Sequence, residues 1–321
     1  MERLDVVEQG CTIKRKDIRF VIYKEGIIDE SVPYFEVNEI VLWGRQNITG
    51  PALDLAFEKG IDVLFLSLSG KLKGKIQGAK SKNIYIRLAQ YELWREKEKK
   101  VLFSKAIIKN KINNQYKLLK YYGIDEPEII EIKKNVDLAN KIDEIMGFEG
   151  MASKIYFSHL KSIVTNDFQF DGRNRRPPKD EVNALLSLTY SMVLNNILSE
   201  LESSGLDSYL GFLHTIKYGR QALSLDILEE FRQGFCDTFV IKLINRKEVK
   251  KEDFSYSEEE GMRFKEEAFK KYLEKYNKEK EELTKIIKKQ IEKLKISVLN
   301  EEEYKGYEFS KRRKAKVCDE N

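Results

Sequence analysis

Between residues 11 and 78, short apolar stretches are cut by polar turns. CTIKRKDIRFVIY partly alternates β-branched and aromatic residues with polar ones up to the turn-like KEG at 24–26, and VPYFEV and NEIVLWG repeat the pattern up to Gly44. NITGPALDLAFEKG reads as a short helix with Pro51 near its start and Gly60 as its stop. IDVLFLSLSG is a buried strand, and the glycines of KLKGKIQG mark a last hairpin. From about Ala79 the apolar spacing lengthens to three and four residues, as at Leu88, Tyr91, Leu93 and Trp94. Breaks are expected at Gly123 and Pro127, then a second helical region through Glu149, and a basic loop, FQFDGRNRRPPKD. Asp180 is a candidate cap for a largely buried helix that stops at Gly205. Beyond Glu252 the pattern predicts a charged helix pair whose apolar stripe includes Phe264, Tyr272 and Leu283, with NKEKEE as a turn or an exposed face. The fold class expected is α+β, a small β domain over 1–78 followed by a larger all-helical domain over 79–321.

Composition leaves this picture globular, with 41% hydrophobic and 35% charged residues. No apolar run approaches a membrane span and no signal-peptide pattern opens the chain, so a cytoplasmic protein without a membrane partner is expected. Cys11, Cys236 and Cys318 are too far apart for a zinc pattern or a disulfide framework. Charge is uneven. Residues 1–78 carry 11 basic and 12 acidic side chains against 47 and 41 in the remainder, so a polyanion would meet the second part.

Candidate chemistry centres on GFLHTIKYGRQALSLDILEEFR, residues 211–232. As a helix, it puts Leu223, Ile227 and Leu228 inside and places Asp226, Glu229 and Glu230 three and four residues apart. Clustered acids beside one of only two histidines, His214, call for a cation: Arg220, Arg232 or a divalent metal. An ordinary helix with a solvated acidic face is the plain alternative. Upstream, Glu149 sits between Gly147 and Gly150, where a helix starts, kinks or is closely approached. Glu149, His214 and Glu229 together offer one imidazole and two carboxylates, a set suited to Mn²⁺ or Mg²⁺, although spacing alone leaves their convergence open. Arg173, Arg175 and Arg176, in a loop stiffened by Pro177 and Pro178, could clamp a phosphate backbone or simply form surface salt bridges.

Taken together, Phe148-Glu149-Gly150, GRNRRPPKDEVNALLSLTYSMV at 172–193, GLDSYLGFLH at 205–214 and LSLDILEEFR at 223–232 resemble the CRISPR-associated endonuclease/integrase, the larger subunit of the spacer-acquisition module. The stretch at 39–74 and INNQYKLL at 112–119 fit the same family, and the likeness covers about residues 1 to 250. The resemblance implies a β-sandwich-like N-terminal domain that dimerises and a helical domain that carries the metal. It puts the metal-binding glutamate on Glu149, the histidine on His214 and the second acid on Glu229, with Asp226 as a supporting acid and Glu230 able to exchange roles with Glu229. It implies double-stranded DNA with free 3′ ends, repeat DNA, a homodimer and a small ferredoxin-fold partner. A non-catalytic DNA-binding scaffold and a stand-alone metal nuclease are the alternatives.

Overall fold

The computed structural model describes residues 2–78, 83–165, 167–174 and 177–309. Grouped by contacts, the chain forms two units. One holds residues 1–82, 175–205 and 249–287; the other holds 83–174, 206–248 and 288–321.

The first unit is built on two four-stranded sheets. Strands β1 (Glu2–Val6), β2 (Thr12–Lys16), β3 (Arg19–Lys24), β4 (Ile27–Pro33), β5 (Val37–Trp43), β6 (Asn47–Ile48), β7 (Asp62–Leu66) and β8 (Leu72–Ile76) are arranged as β1-β5-β7-β8 and β4-β3-β2-β6. In the first sheet β1 and β7 flank β5 in parallel, and β8 closes the edge antiparallel to β7. Leu4, Val6, Ile40, Leu42 and Val63 from this sheet share one core with Ile13, Phe20 and Ile22 from the other. The sandwich-like expectation is therefore met. Helix α1 (Gly50–Lys59) adds Ala52, Leu55 and Ala56 to that core. It ends at Gly60 in the left-handed conformation, as its glycine stop predicts.

Three sequence expectations need correction here. VPYFEV is not a strand: β4 ends at Pro33 and a short turn of 3₁₀ helix spans Tyr34–Glu36. The region after residue 78 is not all helical, because β9 (Phe254–Ser257) and β10 (Gly261–Phe264) form an antiparallel hairpin. Phe264 therefore belongs to a strand and stacks on Phe254, rather than extending a helical stripe. The charged helix pair is also a single helix, Glu266–Asn300, which contributes residues to both units. NKEKEE contains no glycine or proline and continues as helix, with Lys278, Glu281 and Glu282 exposed while Asn277 donates to Asp5 and Lys280 pairs with Glu39.

The second unit is helical, with α2 (Tyr85–Arg95), α3 (Lys97–Tyr121), α4 (Pro127–Asn135) and α5 (Ile142–Ile163). Pro127 occupies the first turn of α4, where a missing N–H costs nothing. Helix α6 (Glu181–Ser204), counted with the first unit, is capped by Asp180, which accepts a hydrogen bond from the Asn183 N–H at 2.8 Å. Gly205 ends it at positive φ. The helix α7 (Ala222–Phe231) returns to the second unit, opens into a wider π-type turn over Arg232–Asp237 and continues as α8 (Thr238–Asn245). None of the described helices is long and apolar enough to cross a membrane.

Candidate functional site

Helix α7 buries its acids as well as its apolar side. Leu223, Ile227 and Leu228 are inside, as their spacing predicts, but Asp226, Glu229 and Glu230 are also buried. The solvated acidic face is excluded. A buried carboxylate needs donors or a countercharge, and each of the three finds different ones.

Asp226 is taken by the loop ahead of the helix. Its Oδ2 accepts the N–H groups of Phe212 and Leu213 at 2.6 and 3.0 Å, and its Oδ1 accepts that of His214 at 2.9 Å. Oδ1 also lies 2.7 Å from His214 Nδ1. A carboxylate that already collects three N–H donors acts as an acceptor, so Nδ1 presents a hydrogen to it and the turn of the ring is set through that nitrogen. The loop can lie this close to α7 because residue 211 is glycine. A Cβ there would stand 2.7 Å from the Ala222 carbonyl carbon and 2.8 Å from Asp226 Oδ2.

Glu229 faces cations. Lys111 Nζ, from α3, is 2.6 Å from its Oε2, and Arg232 Nε is 3.0 Å away. Burial alone would raise its pKa, but the charges of Arg232 and Lys111 outweigh burial and hold the carboxyl down to about 2. Glu229 Oε2 is buried between these two cations. His214, fixed to Asp226, is tied to the helix turn just before Glu229.

The same lysine reaches Glu149. Lys111 Nζ donates to Glu149 Oε1, which also accepts from Ser153 Oγ at 2.8 Å. Ser153 in turn accepts from Gln115 Nε2 at 3.0 Å. Glu149 lies within α5, so no helix starts there. A Cβ on Gly147 or Gly150 would meet nothing within 4 Å, so the close approach considered for these glycines is absent as well.

Glu230 turns elsewhere. Tyr304 Oη donates to its Oε1 and the Tyr307 N–H to its Oε2, both at 2.7 Å. Burial pushes this carboxyl up to about 7. Residues 304–309 form a strap against α3 and α7. Asn114 Nδ2 donates to the Tyr307 carbonyl at 2.8 Å, and Asn114 Oδ1 accepts the Phe309 N–H at 2.9 Å. Tyr307 stacks on Phe231 and Tyr304 on Phe103.

Of the residues singled out by sequence, Glu149 and Glu229 thus meet on one ammonium, His214 is fixed by Asp226 nearby, and Glu230 is bound to the strap. Arg232 supplies the cation expected beside the acids. Lys111 supplies another that sequence reasoning missed. Arg173 Nη1 donates to the Asn174 carbonyl at 2.6 Å, while Arg175 and Arg176 lie outside the described residues. Cys236 is a buried core residue, and burial drives its thiol pKa well up.

Among the described residues, no three His, Cys, Asp or Glu side chains close into a ready metal cage. The donor set nevertheless fits a divalent ion. Two carboxylates and an imidazole are donors that Mn²⁺ and Mg²⁺ accept, and one cation already bridges the two carboxylates. The His214 ring is already oriented through its other nitrogen.

Most of the chain matches known proteins. The family model described as CRISPR associated protein Cas1 matches residues 4–278. CRISPR-associated endonuclease Cas1 4 of Methanospirillum hungatei is 35% identical over 250 residues, 78% of this chain and 70% of the relative. CRISPR-associated endonuclease Cas1 1 of Chlorobaculum tepidum is 33% identical over 298 residues, 88% and 87% of the two chains. A solved CAS1 protein from Thermotoga maritima superposes with a TM-score of 0.83 at 25% identity, covering 97% of this chain and all of that one. With most of its length matched by the family model, the chain belongs to the Cas1 family of CRISPR-associated proteins.

Proposed function

We propose that this chain is a divalent-metal-dependent DNA endonuclease and integrase that inserts DNA fragments into a CRISPR repeat. The observation that carries the reading is the convergence of Glu149 and Glu229 on one buried cation, beside a histidine whose ring is locked by Asp226.

In this reading Glu149, His214 and Glu229 hold Mn²⁺ or Mg²⁺. When bound, such an ion stabilises charge developing on a phosphate and lowers the pKa of an attacking hydroxyl. The chain's own residues do the rest. Asp226 holds the His214 ring through Nδ1, which leaves Nε2 as the nitrogen to meet the metal. Ser153 fixes the rotamer of Glu149, and Arg232 keeps Glu229 ionised. Arg173, Arg175 and Arg176 clamp the DNA backbone through phosphate, which positions the duplex without reading its sequence.

The reaction balances as a transesterification. The 3′-oxygen of the incoming duplex forms a new bond to phosphorus in the repeat strand, and the existing bond from phosphorus to a 3′-oxygen breaks. The proton lost by the attacking hydroxyl is matched by one gained at the departing 3′-oxygen. With water as the attacker the same chemistry is cleavage. The N-terminal domain, residues 1–78, pairs two copies in this reading, residues 79–321 carry the metal, and a small ferredoxin-fold protein completes the module in the cytoplasm.

The test is a strand-transfer assay with Mn²⁺, a repeat-containing target and a short duplex with free 3′ ends. Joined product that disappears in Glu149→Ala and His214→Ala proteins is expected. Metal-dependent cutting without joining would instead indicate a stand-alone nuclease or a missing partner. DNA binding without any reaction would indicate a scaffold, and a fully active, metal-responsive His214→Ala protein would overturn the site assignment.

A further inference from the structure

Lys111 lies on the buried side of α3 with only 6% of its surface exposed. An ammonium in such a place is held there by countercharge, and its only carboxylate partners among the described residues are Glu149 and Glu229. Those are the two acids assigned above to the metal. The chain has therefore placed a permanent cation where the donor set would bring a mobile one.

We propose that Lys111 is the resident cation of the metal-free site, holding Glu149 and Glu229 together and withdrawing its ammonium from between them when a divalent ion binds. This rests on the metal reading of the site.

Three observations support it. First, two ionised carboxylates brought this close repel each other, and in a buried setting the repulsion needs a positive charge at all times. Arg232 adds charge beside Glu229, whereas Lys111 meets both acids. Second, Lys111 Nζ stands 2.6 Å from Glu229 Oε2 and also donates to Glu149 Oε1, so one ammonium spans the two acids that the metal would have to bridge. Third, Glu149 does not depend on the lysine for its orientation, because Ser153 holds the same oxygen and Gln115 holds Ser153. Gln115 follows Lys111 by one turn of α3, so a single helix face presents both the cation and the support that remains after it moves. A four-carbon stem with a rotatable ammonium suits a group that must leave, and a rigid guanidinium fork would not.

The experiment is Mn²⁺ binding to the full chain without DNA, followed by electron paramagnetic resonance of free Mn²⁺ and by the melting temperature with and without metal. With the competing cation gone, Lys111→Met is expected to bind Mn²⁺ at least about tenfold more tightly than wild type. Its metal-free form should melt lower, and its gain on saturation should be larger. Lys111→Arg, which keeps the charge on a fork that grips carboxylates bidentately, should bind Mn²⁺ about tenfold more weakly than wild type. Misfolding cannot produce the tighter binding, and the arginine variant gives an independent reading should the methionine variant fail to fold. Wild-type binding that is lost in Glu149→Ala but unchanged in both Lys111 variants would overturn this proposal and leave the metal site standing. Absence of binding by wild type would overturn both.

Discussion

Asp226 Oδ1 bonds both the backbone N–H of His214, at 2.9 Å, and the Nδ1 of the same residue's ring, at 2.7 Å. One oxygen therefore sets where the histidine sits and which way its ring turns. The other oxygen is fully used by Phe212 and Leu213. Asp226→Asn keeps the shape but must aim an NH₂ group at N–H donors on one side. The expected cost is about 3 kcal/mol of unfolding free energy, measured by urea denaturation. A cost below about 1 kcal/mol would show that the loop does not depend on the carboxylate.

Gly211 predicts a second outcome. The methyl of Gly211→Ala would meet backbone and a fixed carboxylate, neither of which can move aside as a flexible side chain does. A loss of about 2 to 3 kcal/mol is expected, together with loss of DNA strand transfer. A stable, active variant would mean that the loop carrying His214 has more room than its packing allows.

Glu230 makes stability depend on pH. Burial raises its folded-state pKa from the usual 4.5 to about 7, so the folded chain favours the protonated form. The corresponding stability is complete below about pH 4.5 and is lost as pH rises through about 7. Relative to wild type, Glu230→Gln should therefore gain about 3 kcal/mol on going from pH 4.5 to pH 8, read from paired denaturation curves. A difference between the two proteins that stays flat across that range would show that Glu230 does not titrate there.

Asn114 joins the Tyr307 carbonyl, the Phe309 N–H and the Glu230 carbonyl, the last at 3.1 Å. Asn114→Ala should cost about 2 to 3 kcal/mol and speed amide exchange at Tyr307 and Phe309 more than in α5. Equal exchange in the two proteins would mean that the strap is held by its bonds to Glu230 and its stacking on Phe231 and Phe103, without need of Asn114.

Much of this architecture is legible in the sequence because local signals carry it. The Gly60 stop, the Asp180 cap, Pro127 in a first turn and the apolar side of α7 each follow from a property of one residue type at one position. The errors fall where a signal is ambiguous. NKEKEE is polar enough for a turn but lacks any residue that breaks a helix, and the hairpin at 254–264 is hidden within a charged region. The pairing partners of the acids are illegible for a different reason. Nothing distinguishes Lys111 from its neighbours in KAIIKNKINNQ, since burial of one lysine is decided by helices 38 residues and more away. Glu230 is likewise separated from Glu229 only by contacts with Tyr304 and Tyr307, in a segment whose composition suggests a solvated tail.

That separation along the chain has a consequence for synthesis. A ribosome makes α7 before it makes residues 304–309, and the whole of the long helix Glu266–Asn300 must be translated in between. Until then Glu230 has neither the Tyr304 hydroxyl nor the Tyr307 N–H, and the aromatic face of Phe231 is uncovered. The nascent chain thus carries all of its proposed reactive side chains well before the packing that steadies their helix, and the site gains that support only after the strap has been made.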